Sequence, residues 1–190
     1  MNRAVLALVP FALAACGDNA VPRLSYTNPP PGGALRLISG ERASASRLSL
    51  SFVVGDQPIT GYAVGFDLPL APDRVQLASF TAGRALDPGP GTGASVPSAM
   101  AKIPYNGPLA NNLVTALSQQ GASDTALAPG SVLYTLELVA GAEAPEGVVF
   151  DGTAAEFLLP SGGMRARSGT TIVAAPDVAI GRLELGPQSP

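Results

Sequence analysis

Residues 47–54 decide the fold, because the run Arg47-Leu48-Ser49-Leu50-Ser51-Phe52-Val53-Val54 alternates between apolar and polar side chains. A period of two over eight residues is typical of a β-strand with one face in the core and the other toward solvent. The same period recurs in residues 61–70 and 131–139. It predicts two further core faces, formed by Tyr62, Val64, Phe66 and Leu68 and by Val132, Tyr134, Leu136 and Leu138.

Turns rich in Gly and Pro separate further short apolar runs along the chain. No segment has a convincing helical period. Residues 109–120 come nearest to one, but Asn111-Asn112 and the β-branched Val114 and Thr115 leave helix and strand both open. About nine short strands between turns predict an all-β domain, a β-sandwich. The remaining strands are predicted at residues 35–38, 73–77, 113–118, 148–150, 156–159, 165–167, 170–174 and 179–185.

The N-terminus combines a basic residue, a short apolar run and the only cysteine of the chain. Arg3 precedes the apolar residues 4–13, and the run Leu13-Ala14-Ala15-Cys16 overlaps their end. This order is typical of a secretory signal peptide, and the apolar run is shorter than the roughly 20 residues that span a bilayer. Leu-Ala-Ala-Cys resembles the lipobox of bacterial lipoproteins. An ordinary cleaved signal peptide and an uncleaved anchor are the alternatives.

The lipoprotein resemblance implies cleavage after residue 15, a diacylglyceryl group on the Cys16 sulfur and an acyl chain such as palmitate on the new amino group. In enteric bacteria an aspartate directly after the lipidated cysteine retains the protein in the inner membrane. Here Gly17 holds that place and Asp18 follows. The resemblance therefore implies a protein of the bacterial cell envelope, anchored by lipid in the outer membrane.

The chain accordingly divides into a signal peptide at residues 1–15, a lipidated cysteine with a tether at 16–33 and one β-sandwich domain at 34–190. The tether is predicted from Pro22 and from Pro29-Pro30-Pro31, because consecutive prolines favour extended polyproline II. A first edge strand near residues 23–26, packed on the domain, is the alternative.

Composition excludes several kinds of chemistry. The chain has no histidine, so it lacks an imidazole base, a Ser-His-Asp site and histidine metal ligands. Removing residues 1–15 takes away Arg3 and no acid, so the formal net charge changes from −3 to −4. A chain with this net negative charge is not expected to bind the phosphate backbone of nucleic acid. We expect a protein that is not an enzyme, with no metal and no cofactor beyond the covalent lipid.

Two sets of charged residues have both a structural and a binding interpretation. Asp67 and Asp73 flank one predicted turn, where such residues solvate the turn more often than they share a cation. Arg165 and Arg167 alternate along one predicted strand and so point the same way. Such a pair more often protects an exposed edge strand than binds an acidic group.

Residues 61–77 and 128–138, with Gly83 and the stretch 141–149, resemble recurring strand and turn segments of cohesin domains. The first stretch departs from the family at Leu70-Ala71-Pro72-Asp73, where a Tyr-Asp-Pro turn is usual. The resemblance implies a cohesin-like jelly-roll sandwich. The chain has no dockerin-like calcium loop repeat, so the resemblance does not extend to cellulosomal scaffolding.

Together these features predict a lipid-anchored envelope protein whose non-catalytic, cohesin-like module binds another protein or takes part in envelope assembly. The contact surface is predicted on a flat sheet face or on the loops at 87–97 and 102–112, with Lys102, Tyr105 and Asn106 as candidate binding residues. A carbohydrate-binding module on the same fold is one alternative. It requires exposed tyrosines, for which Tyr26 and Tyr105 remain, and the absence of tryptophan weighs against it. A passive structural lipoprotein is the other.

Overall fold

The structure is a computed structural model. It describes residues 22–86, 99–104, 106–119, 123–142, 144–154, 162–168, 171–175 and 178–187, with the backbone alone for residues 162, 167 and 171–175.

The described residues form β-strands and turns, and no helix occurs among them, which confirms the all-β prediction. The strands are β1 (Arg23–Thr27), β2 (Leu35–Ser39), β3 (Arg47–Val54), β4 (Ile59–Gly61), β5 (Ala63–Pro69), β6 (Val75–Ala82), β7 (Ala99–Lys102), β8 (Asn112–Ser118), β9 (Thr125–Leu127), β10 (Val132–Ala140), β11 (Gly147–Asp151), β12 (Gly162–Ser168), β13 (Thr171–Ala175), β14 (Val178–Ala179) and β15 (Arg182–Gly186). Their number exceeds the predicted nine: the runs 61–70 and 179–185 each contribute to two strands, β7 and β9 were not predicted, and β1 was predicted only as an alternative. The strand predicted at 156–159 lies outside the described residues.

Two five-stranded sheets make up most of the domain, with the orders β14-β2-β3-β10-β6 and β13-β12-β5-β8-β7. Among the described strands, only the pairing of β14 with β2 is parallel. The sheets face each other through aromatic side chains: the ring of Phe66 on β5 lies 5.1 Å from that of Phe52 on β3 and 6.3 Å from that of Tyr134 on β10. This arrangement is consistent with a β-sandwich.

The predicted alternation holds along β3 and β5. Leu48, Leu50, Phe52 and Val54 are all buried on β3. Val64, Phe66 and Leu68 are buried on β5, while Tyr62, just before that strand, is only half-buried. Within the run 109–120, the described residues 109–119 form a turn followed by strand β8, in which Leu113, Thr115 and Leu117 point into the core.

On β10 the prediction is wrong for Val132, which is 42% exposed. The register against β3 shifts between Val132 and Tyr134, so that Leu133 is an extra residue of a β-bulge. Leu133 and Tyr134 are both buried, which breaks the simple alternation at this point. Gly83 directly follows β6 beside the bulge, and a Cβ atom there would lie 2.1 Å from the Val132 carbonyl oxygen. Glycine therefore permits the close approach.

A third sheet of order β1-β15-β11 covers part of the core, and its first strand corrects the predicted tether. Residues 23–27 pair antiparallel with β15, and Leu24 is fully buried. The hydroxyl of Tyr26 donates to the Leu37 carbonyl at 2.9 Å and accepts the Gly181 N–H at 2.7 Å. The alternative of a first strand is therefore the arrangement found. The prolines indicated a tether. The partner strand β15 lies too far along the chain for a local pattern to reveal the pairing.

Candidate interaction surface

The face of the β2-β3-β10-β6 sheet that points away from the core is polar, and we call it the outer polar face. Strands β3 and β10 alternate buried apolar side chains with polar ones on this face, and β6 adds exposed polar residues beside the half-buried Leu77 and Phe80. Strand β10 pairs with β3 on one side and with β6 on the other, so the polar groups of the three strands lie side by side, with a β-bulge in each ladder. The face includes Arg47, Ser49, Ser51, Gln76, Ser79, Thr81, Thr135 and Glu137.

Glu137 links three neighbouring strands on the outer polar face. Its carboxylate accepts from Arg47 Nη1 on β3 at 2.8 Å and from Ser79 Oγ on β6 at 3.2 Å. The hydrogen bond from Arg47 is the main cause that lowers the pKa of Glu137, and the bond from Ser79 adds to it. Glu137 therefore stays ionised and bound to its neighbours, a state that suits cross-strand stabilisation rather than proton transfer.

Hydroxyl groups add a second contact across the same face. Ser51 Oγ and Thr135 Oγ1 lie 3.2 Å apart on adjacent strands. Hydroxyls both donate and accept, so this part of the face presents paired groups to a polar ligand or to another polypeptide. The arrangement is suited to non-covalent binding.

Two of the three predicted binding residues lie at one end of the facing sheet, and the predicted loop at 87–97 lies outside the described residues. Lys102 is exposed at the end of β7, opposite Val114 of β8, and Asn106 is exposed in the loop that joins these strands. Asn111 in this loop has φ of 60°, a left-handed conformation that asparagine tolerates, and its carbonyl accepts from the Leu70 N–H at 2.7 Å. Tyr105, the third predicted residue, lies outside the described residues.

Two of the four tyrosines have structural roles. Tyr134 is fully buried, and burial raises the pKa of its hydroxyl. Burial also raises the pKa of Tyr26, whose hydroxyl is held by two backbone groups. The Tyr26 ring meets Phe150 edge-on at 6.2 Å. Neither hydroxyl is available to a ligand, and the Tyr26 ring is partly buried against the core, which reduces the ring surface that carbohydrate binding needs.

Arg74, in the turn between β5 and β6, makes a contact that sequence reasoning missed. Its guanidinium donates to the carbonyls of Val148 at 2.7 Å, Pro145 at 3.1 Å and Gly147 at 3.2 Å. The contacts join residues more than 70 positions apart, so no local pattern could reveal them. Arg74 ties the β10–β11 loop and the edge of β11 to the sandwich.

A second charged cluster lies on the third sheet. Arg182 pairs with Glu184 at 2.6 Å and with Asp151 at 3.4 Å. The Glu184 carboxylate is the main cause that raises the pKa of Arg182. Hydrogen bonds from the Thr153 hydroxyl and N–H lower the pKa of Asp151. Among the described residues, no group of three or more Cys, Asp and Glu side chains lies together as a metal site would require.

The protective role expected of Arg165 is wrong. Strand β12 is an interior strand, since it pairs with β5 on one side and with β13 on the other. Arg165, opposite Ala63 and Ala174, therefore does not guard a free edge. Arg167 pairs with Ile172, and its side chain is not described.

The predicted anchor cannot be placed in the fold, because Leu13, Ala14, Ala15 and Cys16 lie outside the described residues. Within the described ranges no helix is long and apolar enough to cross a membrane. No family model matches the chain, and no match was found among curated proteins or solved structures.

Proposed function

We propose that this chain is a lipid-anchored protein of the bacterial cell envelope, held in the outer membrane by acyl chains on Cys16. In this proposal the sandwich is a cohesin-like, jelly-roll module that binds another protein or helps to assemble the envelope, without catalysis. The sequence Leu13-Ala14-Ala15-Cys16 carries the anchoring part, and the outer polar face supports the binding part.

The position of β1 gives the anchoring proposal a geometric consequence. Strand β1 begins at Arg23, seven residue steps after Cys16 (23 − 16). Seven extended residues reach about 25 Å at most. A chain lipidated at Cys16 would therefore hold the sheet β1-β15-β11 close to the bilayer, and the module could act only on partners at the membrane surface.

Metabolic labelling with a palmitate analogue tests the anchor. We expect the wild-type chain to take up the label and to partition with membranes. Cys16→Ala should lose both properties, because the chain has no other cysteine. Ala15→Asp should also block processing within the run before Cys16, whereas Ala20→Asp, beyond it, is the matched control. Labelling that persists in Cys16→Ala would refute the proposal.

Capture under mild crosslinking in the host tests the binding part. Thr135→Arg disturbs the outer polar face, Lys102→Glu changes the β7–β8 loop, and Thr60→Arg, exposed on β4, is the control. A saturable protein partner that is lost with one of the first two variants and kept with the control would support a protein-binding module and locate its surface. A partner retained by all variants would contradict binding at either surface.

Carbohydrate binding on the same sheet is the second candidate, favoured by the paired hydroxyls and the Arg47–Glu137 pair on the outer polar face. Envelope polysaccharide or peptidoglycan that binds the wild-type chain, but not Thr135→Arg, would favour this candidate over protein binding. Absence of any ligand in both experiments would leave a passive structural role.

A further inference from the structure

The loop that joins β7 to β8 contains the only Asn-Gly pair of the sequence, Asn106-Gly107. The side-chain amide carbon of an asparagine is within reach of the backbone nitrogen of the next residue, and attack by that nitrogen closes a cyclic imide. A side chain on the next residue obstructs this approach, and a hydrogen bond donated by its N–H holds the nitrogen in place. Glycine removes the first obstacle, because it has no Cβ atom.

The surroundings of Asn106-Gly107 leave room for this ring closure. Both residues are exposed, and no hydrogen bond from another described residue restrains the Asn106 side chain. Gly107 has φ of 88°, and a Cβ atom built on it would meet nothing within 4 Å. The Gly107 carbonyl accepts from the Ala110 N–H at 3.1 Å, so the turn holds the glycine by its carbonyl and not by its nitrogen.

The other described asparagines are protected, each in a different way. Asn28 precedes Pro29, whose ring nitrogen carries no hydrogen. Asn111 precedes a residue whose nitrogen is held, since the Asn112 N–H donates to the Leu109 carbonyl at 3.1 Å. Asn112 begins strand β8 and precedes a leucine that is buried in the core. Asn106 is thus the described asparagine at which neither a side chain nor a held nitrogen opposes the reaction.

Asp151-Gly152 shows how the fold restrains the same chemistry elsewhere. An aspartate before a glycine closes the same imide with loss of water. Here the Gly152 N–H donates to the Gly181 carbonyl at 2.9 Å, and Asp151 Oδ1 accepts from the Thr153 hydroxyl at 2.7 Å and from its N–H at 3.0 Å. Both reacting groups are therefore held apart in the folded protein.

We propose that Asn106-Gly107 is a site of self-modification by deamidation. The Gly107 nitrogen loses its proton and attacks Cγ of Asn106, so that a new N–C bond forms. The Cγ–Nδ2 bond breaks, and ammonia leaves with the proton. Water then opens the imide at either carbonyl and gives aspartate or isoaspartate at position 106. Isoaspartate carries the main chain through its side-chain carbon and so adds a methylene group to the backbone of the loop.

Either product changes the charge of the loop that begins at Lys102. The ordinary pKa of an aspartate is about 3.9, so the new carboxyl group is ionised at neutral pH. The formal net charge of the chain changes from −3 to −4 (−3 − 1). The conversion needs only water and depends neither on lipid nor on a partner. Its effect on binding at this loop rests on the proposed function.

Peptide mass mapping of the full chain carrying Cys16→Ser tests the site. During incubation at pH 7 and pH 9 we expect residue 106 to convert before any other asparagine, and faster at pH 9, because the attacking nitrogen must lose its proton. Asn106→Gln keeps the amide but requires a larger ring, so the acidic species should be lost on isoelectric focusing. Asn112→Gln is the matched control and should accumulate that species like the parent chain. Earlier conversion at residue 28, 111 or 112 would overturn the proposal.

The same incubation in urea separates the structural argument from the sequence motif. Without the native hydrogen bonds, isoaspartate should also appear at position 151, because the Gly152 nitrogen is released. Residue 106 should convert at a similar rate in the folded and the unfolded chain. Conversion of Asn106 only in urea would overturn the proposal, since it would show that the folded loop protects this residue.

The effect on binding has its own readout. Asn106→Asp reproduces one product, and a partner that is lost with Lys102→Glu should be captured less by Asn106→Asp than by Asn106→Gln. Equal capture by the two variants of residue 106 would overturn the effect on binding. Mass mapping decides the modification itself whether or not a partner is found.

Discussion

At the centre of the core, the hydroxyls of Thr115 and Tyr134 lie 2.7 Å apart between the two large sheets. Thr115 Oγ1 also accepts from the Phe66 N–H and donates to the Phe66 carbonyl, each at 3.1 Å. Because the single Thr115 proton goes to Phe66, Tyr134 is the donor in the pair. Every hydrogen-bonding position of the Thr115 oxygen is then used, so the polar atoms are buried without an unmade bond.

This geometry predicts an asymmetry between two conservative substitutions. Thr115→Val leaves the buried Tyr134 hydroxyl without its partner and should lower the free energy of unfolding by about 1–3 kcal/mol. Tyr134→Phe leaves Thr115 bonded to Phe66 and should cost less. Adding Tyr134→Phe to Thr115→Val should recover part of the lost stability, because it removes the orphaned hydroxyl while the Phe66 backbone groups still lack the Thr115 hydroxyl. Urea unfolding of the three variants measures these differences, and a double variant less stable than Thr115→Val would contradict the assignment.

Glu137 leads to a pH prediction at the same scale. Its pKa is lowered in the folded state, so its contribution to stability is fully present above the ordinary carboxyl pKa of 4.5. The contribution is lost as the pH falls through the lower pKa of the folded protein. Glu137→Gln should therefore be less stable than wild type at neutral pH, and the difference should shrink in acid.

The matched control for this titration is Glu41→Gln, which removes an exposed carboxylate elsewhere. Unfolding curves collected at several pH values between 7 and 3 would compare the two variants with wild type. A Glu137→Gln difference that stays constant across this range would contradict the link between ionisation and the contacts with Arg47 and Ser79.

At the scale of elements, Arg74 secures a loop and an edge strand together. Arg74→Met removes three charge-assisted hydrogen bonds to carbonyls and should destabilise the protein by about 1–3 kcal/mol. Arg74→Lys should recover only part of this loss, since an ammonium group lacks the planar fork that reaches several acceptors. Hydrogen exchange should accelerate near residues 147–151 in Arg74→Met. Arg84→Met, at an exposed position, is the control, and equal effects from both would contradict the role.

Strands could be predicted where the alternation of apolar and polar residues within the strand itself determines them. Strand β3 has the bounds that its alternation predicts, because one face of each pleat must be buried. The prediction that Val132 is buried was wrong because a β-bulge adds a residue to β10. A bulge depends on pairing with the partner strand and cannot be read from the alternation of β10 alone. The site was less predictable for the same reason: Glu137 meets Arg47 across 90 positions, whereas the alternation indicated only that Glu137 faces solvent.

For the whole molecule, β1 shows how a distant partner can override local composition. Its strand lies between prolines, yet it pairs with β15, and the Tyr26 hydroxyl accepts from an N–H 155 residues away. The folded domain therefore includes residues that composition assigns to a tether. Any anchor at Cys16 would then act through a short connection, which limits how far the domain can stand from the lipid.

The role of β1 can be tested through Leu24, which is fully buried between this strand and the core. Leu24→Ala should lower the free energy of unfolding by about 2–5 kcal/mol, as for other buried leucines. Ser25→Ala, the next residue with its side chain on the opposite face, should change it by less than about 0.5 kcal/mol. A chain that begins at Ala34 would leave Leu183 and Leu185 without their β1 partners and should unfold at lower urea or aggregate. If that chain matched the full domain in stability, β1 would not be needed for folding. Residues 16–33 could then serve as the longer tether that the prolines predict.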